Sequence, residues 1–537
     1  MSRNPPQTPR FDTQGARRLP RLLQEATRAT PESGPDTYVP PSGGEAAEAN
    51  YHHFIFGQRG SGKSSLLRYL QHQMFAAGRV AAWIDEEIFS NLSYPDVLVT
   101  ILHELMKNLI ATLEQKMDAD GGKRRKFSLR KNSRGQTWEL LDELRVTAAE
   151  LEKLKFAPLN RKIEWKVTQG TGTSSSASAG LRMELVGLQA RAESTDQTSA
   201  TSSETVDGTK EEYLERALTG YRDLIIRTAH EVGGGFVFVD DLYQIRREDQ
   251  PQVLGYLHRL VKDTGLWLKI GSIRYSTITF KAGNPPRGMQ RGHDAHEVAL
   301  DRGLSYFQLT QNFLEKILSQ ISQKVDVDIH DLLTEDARKR LVLAAGGVAR
   351  DYLRLTAGAI EEARNRGVTK KTGSHRVIVE DINKAAGFLS PAKFEDLKVD
   401  EPQEAIELSK LVRKLTEFCR DRKSAYFLIA ADETELSGQV DKLQHLRFTH
   451  LLVANETIPD RGSQRFNVWL LDVAELSAQR ATTGMDFLGW DNREKRRNRR
   501  LIFTGSEPDL VAAPPKRKKA AKPPTPPKDQ AADNRLF

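Results

Sequence analysis

The sequence predicts an α/β fold: a parallel sheet built around a P-loop, with a helical lid, a long β-rich insert and a C-terminal winged-helix-like unit. Three observations carry this. Phe54–Ser65 reads as an apolar run, a glycine-rich turn, then Leu66, Leu67 and Leu70 on one helical face. Phe236–Asp241 is four apolar residues ending in two carboxylates. Residues 305–390 carry apolar side chains at helical spacing, and 403–475 read as helix, strand, helix, hairpin.

Taken in order, residues 1–45 hold eight prolines and scattered arginines without apolar periodicity, so they are expected to be mostly disordered, with one short helix near Leu19–Ala29. The core is expected over 46–303. Gly57, Gly62, Lys63 and Ser64 fit G-x-x-x-x-G-K-[ST]. In such a loop Gly57, Gly60, Ser61, Gly62, Lys63, Ser64 and Ser65 cradle phosphates with backbone N–H groups and a helix N-terminus. Lys63 reaches the β- and γ-phosphates and the Ser64 hydroxyl binds Mg²⁺. This pattern points to ATP and Mg²⁺ as ligands.

Val80–Asp85 is a second buried strand, followed by a helix through Val97, Leu102 and Leu109. Strand–helix alternation marks a parallel sheet covered on both faces. Residues 120–210 interrupt it with the basic run Lys123–Lys126 and two alternating segments, Ile163–Val167 and Leu181–Leu185. These read either as a projecting hairpin or as a low-complexity insert.

Sheet order resumes at Phe236–Asp241. Its acids fall at the strand's C-terminal edge, where ligands sit in open parallel sheets. Beside a P-loop this is a Walker B arrangement: Asp240 would hold Mg²⁺ and Asp241 would orient or deprotonate the attacking water. Asp241 is one methylene shorter than Glu, which suits slow turnover. Leu266–Tyr275 supplies another strand with Ser272 and Arg274 at its exit. Residues 281–303 read as a Gly/Pro-rich loop with Arg287, Arg291 and Arg302, candidates to act on a neighbouring subunit's nucleotide.

The lid is expected over 304–395, with Arg350 opening one helix after Gly346-Gly347, and the winged-helix-like unit over 396–490. Residues 403–475 carry 12 acids against 10 bases, which favours a protein partner at least as much as DNA. Residues 491–537 hold 13 Lys/Arg against 6 Asp/Glu and seven prolines, and are expected to form a disordered basic tail. The tail accounts for nearly all of the chain's net charge of +8. It is either a salt-sensitive binder of phosphate backbones or a solubility tail.

The single cysteine, Cys419, excludes a disulfide framework, and no apolar run reaches membrane-spanning length. A cytoplasmic protein without membrane attachment is the expectation.

Across residues 45–475 the chain resembles AAA+ ATPases of the initiator/origin-recognition lineage and the neighbouring STAND class. The resemblance rests on the P-loop, Phe236–Asp241, Gly271–Arg274 and Gly347–Arg350. It implies that Ser272 or Arg274 acts as sensor 1 and Arg350 as sensor 2, placing Arg274 and Arg350 beside Lys63 and Asp241 in the catalytic set. The long insert and Asp241 in place of Glu depart from the common pattern. The expected function is an ATP-driven switch assembling on DNA or on an effector protein, with a homo-oligomer among the expected assemblies. The alternatives are a nucleic-acid scaffold or a protein adaptor with structural ATP.

Overall fold

The computed structural model describes residues 10–28, 30, 38–41, 43–85, 91–121, 131–157, 163–169, 181–185, 203–301, 303–369, 374–459, 461–478 and 482–505. The Lys123–Lys126 run, Arg302 and the Lys516–Lys519 run lie outside them.

The N-terminal segment holds more order than its prolines suggest. Helix α1 (Gln14–Glu25) starts at Thr13, whose hydroxyl accepts from the Ala16 N–H. Its face Ala16, Leu19 and Leu23 is buried, with Phe11, in the core of the lid. An amphipathic stripe with a partner to cover it is enough to order a short helix.

Strand β1 (His53–Phe56) runs into α2 (Lys63–Ala76), and β2 (Val80–Asp85) into α3 (Asp96–Gly121). The insert then begins with a helix, α4 (Lys131–Phe156), which the β-rich expectation did not include. Leu140, Leu141, Leu144, Leu151 and Leu154 recur at helical spacing and are buried in the same core as the α3 stripe. Strands β3 (Ile163–Gln169), β4 (Leu181–Leu185) and β5 (Ser203–Gly208) form an antiparallel sheet of order β4-β3-β5. The hairpin of the sequence reading is present, and Ser203–Gly208 pairs with β3 as a third strand.

Helix α5 (Lys210–Val232) opens with a capping box between Thr209 and Glu212 and closes at Gly233. It leads into β6 (Gly235–Asp240), α6 (Gln250–Val261) and β7 (Leu266–Ser272). After a small hairpin, β8 (Phe280–Lys281) with β9 (Arg287–Gly288), comes β10 (His296–Ala299). The segment read as a loop therefore contains an edge strand, too short for its alternation to show. The main sheet has order β10-β1-β7-β6-β2, and each neighbouring pair is parallel. All these strands point their C-terminal ends the same way, so the turns after β1, β6 and β7 meet at one edge.

The lid comprises α7 (Phe307–Gln323), α8 (Ile329–Leu332), α9 (Glu335–Ala344), α10 (Ala349–Thr369), α11 (Val379–Gly387) and α12 (Ser390–Asp400). The C-terminal unit follows as α13 (Ala405–Arg422), β11 (Tyr426–Ala430), α14 (Thr434–His445), β12 (Thr449–Thr457), β13 (Arg465–Leu471) and α15 (Val473–Ala478). Its antiparallel sheet has order β11-β13-β12. One continuous hydrophobic core runs from α1 through the lid into this sheet.

The expected tail does not start at residue 491. The short α16 (Arg493–Arg496) and the residues around it fold back on the C-terminal unit. The Phe503 N–H donates to the Leu428 carbonyl (2.8 Å), and the Phe503 ring packs edge-on against Phe418 and Phe427. Arg496 pairs with Glu456 at 2.6 Å, and Arg497 bonds the Thr457 carbonyl. Burial of Leu501 and Phe503 outweighs the charge of the arginines between them and Trp490.

Candidate functional site

The glycine-rich turn joins β1 to α2 and is braced from two sides. The Gly57 N–H donates to the Ser272 carbonyl at 3.2 Å, tying the loop to the exit of β7. The Gln58 N–H donates to Asp301 Oδ1 at 2.6 Å, tying it to the chain after β10. Lys63 is buried and lies back across its own loop, donating to the carbonyls of Gly57 (3.0 Å) and Gln58 (3.2 Å). Burial pushes its ammonium below the ordinary lysine range, while Asp241, Asp240 and Asp301 pull it back up.

The opposite wall is the end of β6. Asp240 is 7% exposed and sits in register with Asp85 at the end of β2. Burial first, then the charge of Asp241, pushes the Asp240 carboxyl up to about 6, against a hydrogen bond from Ser64 and the attraction of Lys63. Asp241 takes a left-handed conformation (φ 55°) that turns its N–H onto Asp240 Oδ1 at 3.1 Å. Its charge reaches Lys63, Tyr243 and Arg350.

The lid closes the third side. The Arg350 N–H donates to the Gly60 carbonyl at 3.2 Å. Gly60 sits at φ +86°, and a Cβ there would fall 2.7 Å from Arg350 Cβ. Only glycine admits so close an approach of the lid. Burial and then Arg354 lower the Arg350 pKa, while Asp241 opposes them. Ser272 is buried, and its hydroxyl shares a 2.6 Å hydrogen bond with Thr277. Arg274 turns to β10, pairing with Glu297 at 2.5 Å over the Phe56 ring. The structure thus gathers Gly57, Gly60, Ser61, Gly62, Lys63, Ser64, Ser65, Asp240, Asp241, Ser272 and Arg350, and engages Arg274 with its neighbouring strand.

The residues fit a magnesium nucleotide. Among the described residues the Ser61 hydroxyl is buried without a hydrogen-bond partner, and it lies against Gly57, where a Cβ would fall 2.2 Å from it. Ser64 and Asp240 offer the hard oxygen ligands that Mg²⁺ takes, and Lys63 supplies a buried cation for phosphate. Sequence reasoning passed over Asp85 and Asp301. Asp85 ends an apolar strand as Asp240 does, and that signal was visible; Asp301 becomes recognisable only once β10 is placed beside β1.

The ORC-CDC6-like family profile matches residues 23–339, more than half of the chain. The chain belongs to the ORC-CDC6-like family. With the loop geometry, membership makes it a nucleotide-binding AAA+ ATPase. No curated protein sequence matches it. Among solved structures it is similar to a Walker-type ATPase of Pyrococcus abyssi at 13% identity, with TM-score 0.38, covering 88% of this chain and 98% of that one. Among the described residues no helix is long and apolar enough to cross a membrane.

Proposed function

We propose that this ORC-CDC6-like ATPase is a slow molecular switch whose ATP state sets how its C-terminal unit engages a partner. The observation that carries it is the convergence of Lys63, Ser64, Asp240, Asp241 and Arg350 on one loop, contributed by sheet and lid together. In this reading Ser64 and Asp240 would hold Mg²⁺, which would supply positive charge against the phosphates. Lys63 leaves the loop carbonyls for the β- and γ-phosphates, and Asp241 orients water. Arg350 follows the γ-phosphate, so lid position depends on whether it is present. The short Asp241 suits a STAND-like switch more than continuous turnover.

DNA is the favoured partner. Helix–strand–helix–hairpin order with the first strand beside the third supports a winged-helix-like reading of the C-terminal unit. The folded Arg493–Arg500 segment adds a basic strip anchored on Glu456 and Thr457 of β12, presenting Arg493, Lys495, Arg499 and Arg500 to solvent. Over residues 403–505 there are 17 Lys/Arg against 15 Asp/Glu, so the acidic balance of 403–475 is reversed.

The test is a DNA-binding titration with ATP, ADP and no nucleotide at two salt concentrations, on full-length protein and a variant lacking 506–537. An ATP-dependent component that survives high salt supports the switch. Binding that is indifferent to nucleotide and erased by salt supports a scaffold instead.

A further inference from the structure

One turn of the C-terminal unit, residues 445–450, touches both nucleotide-facing walls. At its start His445 stacks on Tyr275, the residue after Arg274 at the exit of β7, with ring centroids 4.3 Å apart. Asp301, which braces the P-loop at Gln58, is close enough to act on the His445 ring.

In the middle of the turn, Arg447 reaches the lid. Its Nη1 bonds both carboxylate oxygens of Asp351, at 2.9 and 3.2 Å, and Nη2 adds Asp396 at 3.3 Å. Asp351 adjoins Arg350 in the first turn of α10 and is buried. Arg447 holds a left-handed conformation (φ 64°), which a non-glycine residue adopts at a cost. Lys393 on α12 donates to its carbonyl at 3.0 Å.

At the end of the turn the His450 ring lies flush on Gly346, in the bend that opens α10. A Cβ at Gly346 would fall 2.1 Å from His450 Cε1, and Gly346 itself is at φ +59°. His450 Nε2 lies 2.9 Å from Asp472, which also pairs with Lys393 at 2.8 Å. Burial works against the Asp472 charge, yet Lys393 and His450 hold its carboxyl down to about 2. The turn is thus fixed inside the C-terminal unit by His450 on Asp472, and fixed to the lid by Arg447 on Asp351 and by Lys393, which reaches both the Arg447 carbonyl and Asp472.

We propose that Arg447 and His450 are positioning residues for Arg350: they hold the start of α10 against the P-loop, and they make the C-terminal unit move with the lid when the γ-phosphate is bound. The coupling is reciprocal, since any gain in ATP affinity from the seated turn is matched by a gain in seating from ATP. A partner that binds the C-terminal unit therefore changes ATP affinity without touching the nucleotide. This inference rests on the switch reading above.

The test compares ATP-analogue and ADP affinities of full-length wild type, Arg350→Ala, Arg447→Met, Asp351→Asn and the Arg350→Ala/Arg447→Met pair, with hydrogen exchange of residues 434–478 in each nucleotide. Arg447→Lys is included because a lysine keeps the charge but not the two-pronged contact. The expected result is a drop of about tenfold in ATP affinity relative to ADP for Arg447→Met and Asp351→Asn, a size typical of coupled sites. The double variant should be no worse than Arg350→Ala, and the nucleotide-dependent exchange at 434–478 should be lost. Equal loss of ATP and ADP affinity marks a structural role and overturns the proposal, as does an unchanged ratio in both Arg447→Met and Asp351→Asn. If Arg350→Ala itself leaves the ratio at its wild-type value, the switch reading fails first.

Discussion

Lys269 sits in the middle of the main sheet, fully buried, at the end of β1 remote from the P-loop. Its ammonium donates to the carbonyls of Ala49 (2.7 Å) and Tyr51 (3.0 Å), faces His53 Nδ1 at 3.0 Å and lies over the Phe236 ring. Burial pushes its pKa from 10.5 down to about 7. Between those values the unfolded chain carries a proton that the folded chain lacks, so stability rises with pH. One such proton is worth about 1.4 kcal/mol per pH unit, which gives about 2 kcal/mol between pH 7.5 and 9.0. The two carbonyl acceptors favour the ammonium, so about 1–2 kcal/mol is the expected span. Urea unfolding of wild type and Lys269→Met at both pH values measures it, because every other titrating group is common to the two proteins. Wild type should gain that much over the variant on going to pH 9.0. A stability difference that stays constant with pH would refute the buried-amine account.

The neighbouring histidines work at the acid end. Burial lowers both His52 and His53 to about 4, so stability should fall as pH drops from 6.5 toward 4; acid unfolding of a His53→Asn variant should show a shallower fall. Lys63→Met should cost about 3 kcal/mol of ATP affinity, roughly a hundredfold in a calorimetric titration, because charge-assisted bonds to phosphate are lost while the ligand-free fold keeps a well-packed side chain. Gly60→Ala should weaken ATP binding in the same assay through left-handed strain of about 1–2 kcal/mol and displacement of Arg350. Glu456→Gln should leave Arg496 short of its partner, cost about 1–3 kcal/mol and open the Arg493–Arg500 segment to trypsin.

The sequence carried the parts of the fold that depend on local pattern. The P-loop and Walker B strand are each a run of one residue class ending in another, and both stand where their patterns placed them. What escaped depends on partners far along the chain. Strand β10 has four residues and one buried side chain, Val298, so only pairing with β1 marks it as a strand. Helix α4 has a readable apolar stripe, yet it lies inside residues 120–210, whose alternating segments read as a hairpin or a low-complexity insert. The short helix expected near Leu19–Ala29 is present as α1, placed earlier at Gln14–Glu25, whereas residues 491–505 read by composition as tail; in each, a few apolar residues, Leu19 and Leu23 in one and Leu501 and Phe503 in the other, suffice for order when a partner surface is already built.

The same limit governs the site, and it changes the functional argument. Charge counted over 403–475 weighed against a nucleic acid because the segment that completes the unit lay beyond the count. Once Phe503 joins the edge of β11 and Glu456 gathers Arg493, Arg496 and Arg497, the basic residues belong to a defined surface rather than to a tail. A fixed strip can change its orientation with the lid, whereas a free polycation binds phosphate regardless of nucleotide. Removing residues 506–537 should therefore lower DNA affinity at low salt while leaving the ATP-dependent component in place, and Glu456→Gln should do the reverse. If both changes act alike, the strip contributes charge alone and the switch must reach its partner by another surface.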